Sequence, residues 1–150
     1  MSDLISASLV DLDVVATDKD AATRRLAGLM HGEGRVTDLE VFLGDVRARE
    51  EQMPTGLDGG IGIPHARSAA VTVPTVAFGR STAGVDYGAA DGPAHLIFLI
   101  AAPAGGGDEH LKVLAALARR LVHASFKEAL LQAGDAQDVV DLFEREVVVS

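Results

Sequence analysis

The sequence predicts a single α/β or α+β domain in which helices pack on the faces of a small β-sheet. Helical patterns occur in two blocks, and these flank a central region of apolar, strand-like runs. The 150 residues can bury one substantial core, and 48% of them are hydrophobic whereas only 4% are aromatic. We therefore expect one domain over residues 1–150 with a core of aliphatic side chains.

The first predicted elements are a strand and a helix. The stretch SLVDLDVVA alternates loosely and is rich in valine, which predicts a strand near Leu9 to Ala16. Thr17 or Asp18 is expected to cap a helix over KDAATRRLAGLMH. The apolar residues of this helix share one face, and it is expected to stop at Gly32.

A second helix and three strands are predicted next. Thr37 and Glu40 have the spacing of a capping box and predict the start of a helix over DLEVFLGDVRAREEQ, which Pro54 ends. The segment GIGI is a candidate short strand within the following loop. TVAFGRS and AHLIFLIAAP are also predicted strands, and the second is apolar enough to be buried on both faces.

The C-terminal part is predicted to contain three helices. A flexible AGGGD connection leads into EHLKVLAALARRLV, whose leucines form an apolar stripe. Ser125 and Glu128 have the spacing of another capping box, for a short helix that ends at Gly134. Asp135 is expected to cap a last helix over AQDVVDLFEREV.

Composition excludes several classes of function. The formal charge of −9 argues against binding to nucleic-acid phosphates and favours basic protein partners. The chain has no cysteine, so it can form neither a disulfide nor a thiolate site. The N-terminus lacks the pattern of a signal peptide, and the longest apolar run, Leu96 to Ala102, is too short to span a bilayer. We expect a cytoplasmic protein that is not embedded in a membrane.

The segment PTGLDGGIGIPHAR, from Pro54 to Arg67, is the strongest candidate for a functional site. It has neither the lysine end of a phosphate-binding P-loop nor a GxGxxG that opens a helix, so nucleotide binding is not expected. Its glycines let backbone N–H groups approach an anion, and Pro64 fixes the backbone before His65. The imidazole could attack phosphorus, bind a metal ion, or merely stabilise a turn.

Two further side chains are candidates for the same chemistry. His110 follows the glycine-rich connection and opens a helix, where backbone N–H groups favour anions, although a histidine there is commonly a residue at the edge of the core. Arg49 could bind a phosphoryl group through its planar set of donors, or lie in solvent. His31, His95 and His123 are expected to have structural roles, and no HExxH motif or close ligand pair suggests a metal site.

The segments REEQMPTGLDGGIGIPHAR and HLIFLIAAPAGGGDEHLKVLAALARRL together resemble the enzyme IIA domain of the fructose–mannitol family of the bacterial phosphoenolpyruvate:sugar phosphotransferase system. The resemblance extends over nearly the whole chain. It implies an α/β fold with a mixed β-sheet flanked by helices. We expect no cofactor or metal ion.

The resemblance also implies roles for individual residues. The histidine of the Ile-Pro-His motif, here His65, takes a phosphoryl group from HPr and passes it to a IIB domain. His110 matches the partner histidine of the family, Arg49 matches its arginine near the site, and Thr55 matches the threonine of its Thr-Gly step. We expect a backbone carbonyl to bind the second ring nitrogen of His65 and so fix the tautomer.

The expected partners are HPr and a IIB component. IIB domains of this type accept the phosphoryl group on a cysteine, so the resemblance implies a stand-alone IIA whose acceptor is on a separate chain. The loop residues Ile61 and Ile63 are expected to surround His65 on the docking surface, with acidic residues at the rim. The alternative is a regulatory protein whose phosphorylation state controls its binding to target proteins.

Overall fold

The computed structural model describes residues 4–16, 18–107 and 109–147, with the side chains of residues 109 and 110 excluded. Within these residues the backbone forms one six-stranded sheet in the order β1-β5-β6-β3-β2, and β4 also pairs with β6. The strands are β1 (Val10–Asp11), β2 (Gly56–Leu57), β3 (Ile61–Gly62), β4 (His65–Ser68), β5 (Thr75–Val85) and β6 (Ala94–Pro103).

The sheet is mixed, as the family resemblance implies. Strands β5 and β6 form its antiparallel centre. Strand β1 runs parallel to β5, and both β3 and β4 run parallel to β6. Strand β2 is antiparallel to β3 and forms a short hairpin with it at the edge of the sheet.

Five helices cover the two faces of this sheet within the described residues. They are α1 (Lys19–Gly32), α2 (Leu39–Gln52), α3 (Glu109–Leu121), α4 (Ala124–Gln132) and α5 (Ala136–Glu146). The buried side chains form two separate clusters, one with α1 and α2 and the other with α3, α4 and α5. None of the described helices is long and apolar enough to cross a membrane.

Strand β6 contributes side chains to both hydrophobic clusters. Leu96, Phe98 and Ile100 belong to the cluster under α3, α4 and α5. Ile97 and Leu99, which alternate with them, belong to the cluster under α1 and α2. Successive side chains of a strand point to opposite faces, so the prediction that this strand is buried on both sides is confirmed.

Two helix starts were predicted correctly. The Asp18 carboxylate accepts a hydrogen bond from the Ala21 N–H at 2.8 Å, and the Asp135 carboxylate accepts one from the Asp138 N–H at 2.9 Å. Each satisfies an N–H group that has no partner within its helix. Thr17, the alternative cap for α1, lies outside the described residues.

Both predicted capping boxes are wrong. The cap of α2 is Asp38, whose carboxylate accepts from the Val41 N–H, while the Thr37 hydroxyl donates to the Ala70 carbonyl. Helix α4 begins one residue after His123, which makes no side-chain cap, so Ser125 is its second residue. This helix also ends at Gln132, before the predicted Gly134.

The first strand is shorter than predicted. A 3₁₀ turn over Ala7–Leu9 precedes β1, which contains only Val10 and Asp11. The Asp13 N–H donates to the Asp11 carboxylate at 2.9 Å, and this local turn replaces the regular strand ladder.

Candidate active site

The sequence around His65 follows one edge of the central strand. Ile61 and Gly62 of β3 pair with the start of β6, and β4 pairs with its end from His65 onward. Between the two strands, the Pro64 carbonyl accepts a hydrogen bond from the Ile100 N–H at 3.0 Å. Backbone pairing with β6 therefore fixes His65 on both sides.

The His65 imidazole is half-buried and held by its own loop. Its Nδ1 lies 2.9 Å from the Ile63 carbonyl oxygen. A carbonyl oxygen can only accept, so Nδ1 carries the proton and the lone pair of the neutral ring is on Nε2. The prediction that a backbone carbonyl fixes the tautomer is confirmed.

A cleft of about 440 Å³ opens beside His65. Its walls come from α2, β4 and α3, which lie on different layers of the molecule. The polar and apolar side chains that line it include Asp45, Arg49, Gln52, His65, Arg67 and Leu111. The structure therefore brings His65 and Arg49 to one cleft. Arg49 also donates from Nη1 to the Met53 carbonyl at 3.2 Å, which holds its side chain at the C-terminal end of α2.

Arg67 is a residue of this cleft that sequence reasoning did not identify. Its Nη2 donates to the carbonyl groups of Ala104 and Gly106, each at 2.9 Å. The only signal in the sequence is the spacing of His65 and Arg67, because residues two apart in a strand share a face. This spacing places the two side chains on one face only if the segment is a strand, which the sequence alone did not predict.

Thr55 occupies a different position, behind the loop, and does not line the cleft. Its hydroxyl donates to Glu50 Oε1 at 2.7 Å, and its N–H donates to Glu50 Oε2 at 2.9 Å. Glu50 is only 5% exposed, and the Lys19 Nζ lies 4.0 Å from its Oε2. Glu50 is a second residue that sequence reasoning did not single out, and a direct role for Thr55 in catalysis stays a prediction.

His110 belongs to the first turn of α3, but its side chain lies outside the described part of the structure. Its predicted place beside His65 therefore stays a prediction. The neighbouring residues Leu111 and Leu114 line the His65 cleft. Farther along the predicted stripe, Leu117 and Leu121 are buried in the core under α3, α4 and α5.

The expectation for Ile61 and Ile63 is wrong. These side chains are 2% and 5% exposed and belong to the core rather than to a docking surface. Strand β3 and the residue after it direct them under α3, α4 and α5. Leu111, an apolar side chain that does line the cleft, is 55% exposed.

Tyr87 supports the β2–β3 hairpin from the other side. Its carbonyl accepts from the Gly56 N–H at 2.9 Å, and its ring lies so close to Gly62 that a Cβ there would be 2.8 Å from Tyr87 Cδ2. Its hydroxyl is 2.9 Å from the Thr23 hydroxyl. Burial raises the pKa of the Tyr87 phenol well above its ordinary value.

The other histidines have local contacts. His31 Nδ1 and His95 Nδ1 each bond to a backbone carbonyl at 2.8 Å, as structural roles require. His123 precedes α4 and is exposed. Among the described residues, no group of three histidine, aspartate or glutamate side chains is arranged to hold a metal ion.

The chain is similar to known proteins over nearly its whole length. Residues 3–146 match the family model described as phosphoenolpyruvate-dependent sugar phosphotransferase system, EIIA 2. A phosphotransferase-system fructose-specific EIIA component from Haloferax volcanii is 41% identical over 148 residues, which are 98% of this chain and 96% of that protein.

Solved structures agree with this similarity. The crystal structure of nitrogen regulatory protein IIA-Ntr from Neisseria meningitidis gives a TM-score of 0.84 at 31% identity, covering 93% of this chain and 95% of that chain. Mannitol enzyme IIA from Escherichia coli, in its complex with phosphorylated enzyme IIB, gives a TM-score of 0.78 at 25% identity, covering 94% and 97%.

Proposed function

The chain belongs to the phosphoenolpyruvate-dependent sugar phosphotransferase system EIIA 2 family, and on that premise we propose that His65 accepts a phosphoryl group from phospho-HPr. His65 then passes the group to a cysteine of a IIB component on a separate chain, during cytoplasmic steps of sugar uptake of the fructose or mannitol type. EIIA proteins of this system are phosphotransferase relay components, and the similarity to a fructose-specific EIIA supports the sugar class.

The observation that carries this proposal is the hydrogen bond from His65 Nδ1 to the Ile63 carbonyl. It puts the lone pair on Nε2, which attacks the phosphorus in line while the bond between phosphorus and HPr breaks. The ring gains positive charge as the Nε2–P bond forms, and the Ile63 carbonyl stabilises that charge through the Nδ1–H. When a cysteine thiolate attacks the phosphorus, the Nε2–P electrons return to the ring.

Arg49 is proposed to stabilise the negative charge of the phosphoryl group. It lines the same cleft as His65, and its planar guanidinium suits phosphate oxygens. His110 is proposed as a second stabilising group, on the ground that the family resemblance assigns it this role and that α3 forms one wall of the cleft.

The partners follow from the same premise. The complex of mannitol enzyme IIA with phosphorylated enzyme IIB supports a IIB component as acceptor. The 150 residues contain no cysteine, which is consistent with an acceptor cysteine on that component. The formal charge of −9 favours association with a partner whose docking surface is basic, and we propose HPr as that partner.

Incubation with phosphoenolpyruvate, enzyme I and HPr tests the proposal. Intact-mass measurement is expected to show one added phosphoryl group that is lost in mild acid and kept in base. His65→Ala is expected to abolish the label. The matched control is His123→Ala, which removes an exposed imidazole that makes no side-chain cap and should leave labelling unchanged. Label that persists in His65→Ala contradicts the assignment.

The similarity to nitrogen regulatory protein IIA-Ntr favours a second candidate function. In that case the phosphorylated protein keeps its phosphoryl group and binds target proteins according to its phosphorylation state. The two functions differ in a chase experiment with a purified fructose-type IIB. Rapid transfer to the IIB cysteine supports the relay, whereas retention of the group supports the regulatory role.

A further inference from the structure

We propose that Arg67 is a positioning residue for phosphoryl transfer. It ties the glycine-rich connection between β6 and α3 to strand β4, and it thereby holds the first turns of α3 against the His65 cleft. Its effect on transfer rests on the proposed function, whereas its effect on the connection rests on geometry alone.

The register of β4 directs Arg67 toward the connection. Alternation along the strand puts His65 and Arg67 on one face, and the buried Ala66 and Ser68 on the other. Arg67 pairs with Ala102 of β6, which lies one residue before the end of that strand. The guanidinium therefore lies where the chain leaves the sheet.

Among the described residues of the connection, few other groups order the backbone. Residues 104–107 read Ala-Gly-Gly-Gly, so they carry almost no side chain that could pack, and glycine has the largest conformational freedom of any residue. Backbone bonds join the Ala104 N–H to the Ser68 carbonyl at 3.1 Å and the Gly106 N–H to the Pro103 carbonyl at 3.2 Å.

Arg67 adds a side-chain tie to these backbone bonds. A single nitrogen, Nη2, donates to the carbonyl groups of Ala104 and Gly106, both at 2.9 Å. The two carbonyl groups belong to different peptide units, so one cation restricts the backbone torsions between them. Hydrogen bonds from a charged donor are also stronger than those from a neutral one.

The connection leads directly into a wall of the site. Helix α3 begins at Glu109, and its residues Leu111 and Leu114 line the cleft together with His65. A displacement of the first turns of α3 would therefore change the cleft, and misplacement by about 1 Å can slow a transfer step by roughly a hundredfold.

Three variants separate positioning from a direct charge contact with the phosphoryl group. Arg67→Met removes the donors and the charge but keeps an aliphatic stem. Arg67→Lys keeps one nitrogen that can donate to both carbonyl groups. The double variant Arg67→Met with Gly105→Ala stiffens the connection without restoring charge, because Gly105 has no positive φ and its Cβ would enter open space.

Hydrogen exchange and single-turnover kinetics are the two readouts. In Arg67→Met, exchange is expected to rise roughly tenfold at the hydrogen-bonded amides of Ala104 and Gly106 and at residues 113–114 of α3, as the loss of one to two net hydrogen bonds implies. The maximal rate of transfer from phospho-HPr is expected to fall roughly tenfold, while the HPr concentration at half-maximal rate changes less than about twofold. Arg67→Lys and the double variant should each recover part of the maximal rate.

The control is Arg24→Met. Arg24 is an exposed arginine of α1 whose guanidinium pairs with the exposed Glu40 carboxylate at 2.7 Å, and it does not line the His65 cleft. Neither exchange at the connection nor the transfer rate is expected to change in this variant.

Three results would overturn the role of Arg67. Unchanged exchange in Arg67→Met would mean that the tie does not hold the connection. Raised exchange with an unchanged rate would mean that the position of α3 does not limit transfer. A slow Arg67→Met that Gly105→Ala does not improve would assign Arg67 to direct charge contact instead. If HPr does not phosphorylate the wild-type protein, the proposed function fails. The exchange measurement still tests whether the Arg67 hydrogen bonds hold the connection.

Discussion

One backbone carbonyl fixes which nitrogen of the His65 ring carries the proton. The bond from Nδ1 to the Ile63 oxygen is made within the loop that carries His65. The Thr55–Glu50 pair also fixes the loop. The buried Glu50 carboxylate accepts hydrogen bonds from the hydroxyl and the N–H of Thr55, and these bonds anchor the loop where it leaves α2.

Thr55→Val is expected to lower the free energy of unfolding by about 1–3 kcal/mol, because it leaves a buried oxygen of Glu50 without its donor. Urea unfolding measures the loss. Thr55→Ser keeps the hydroxyl and should lower the free energy of unfolding by less than Thr55→Val does. Thr82→Val, an exposed threonine of β5, is the matched control and should change stability by less than about 0.5 kcal/mol.

A double-mutant cycle then tests whether Thr55 acts through Glu50. If it does, Thr55→Val and Glu50→Gln are not additive, with a coupling free energy of about 0.5–3 kcal/mol. Additive losses would mean that the two residues contribute independently. They would leave Thr55 as a candidate for direct contact with the phosphoryl group.

Elements with a clear local sequence pattern could be predicted, whereas short strands that form only by pairing with distant segments could not. Local patterns include the apolar runs of β5 and β6 and the aspartate caps of α1 and α5. Strands β2 and β4 have two and four residues within a glycine- and proline-rich segment, and they exist because Tyr87 and β6 bind their backbones. The capping-box pattern failed at Thr37 because the adjacent Asp38 makes the cap instead.

Two glycine-to-alanine substitutions are expected to change stability in opposite directions. At Gly56 in β2, a Cβ would lie 2.7 Å from the Tyr87 carbonyl oxygen and the Ala89 nitrogen, and backbone atoms cannot easily move aside. Gly56→Ala should therefore destabilise the protein by about 1–3 kcal/mol. At Gly28 in α1 nothing lies within 4 Å of the added Cβ, so Gly28→Ala should stabilise it by about 0.5–1 kcal/mol.

Urea unfolding of the two variants measures both changes against the wild-type protein. If Gly56→Ala were neutral, the hairpin would have room to shift away from Tyr87, and its close packing would not be what fixes the loop. A destabilised Gly28→Ala would show that α1 has a constraint at Gly28 that the packing around it does not reveal.

At the scale of the whole molecule, the site depends on both layers of helices. The cleft takes α2 from one face of the sheet and α3 from the other, and β4 lies between them. The sequence placed His65 and Arg49 in one site through a family resemblance. It could not identify Arg67, whose two bonds join segments that are distant in sequence, or the buried position of Glu50.

Because β6 belongs to both cores, we expect the two layers to unfold together. Ile97→Val removes a methylene from the core under α1 and α2, and Ile100→Val removes one from the opposite core. Each should cost about 0.5–1.5 kcal/mol. The fluorescence of Tyr87, the single tyrosine of the chain, reports the first core, and NMR signals from α5 report the second. In each variant, the unfolding midpoints reported by the two probes should shift by the same amount. If Ile97→Val moved only the tyrosine transition, the layers would be separate folding units, and the cleft would open whenever the weaker layer unfolded.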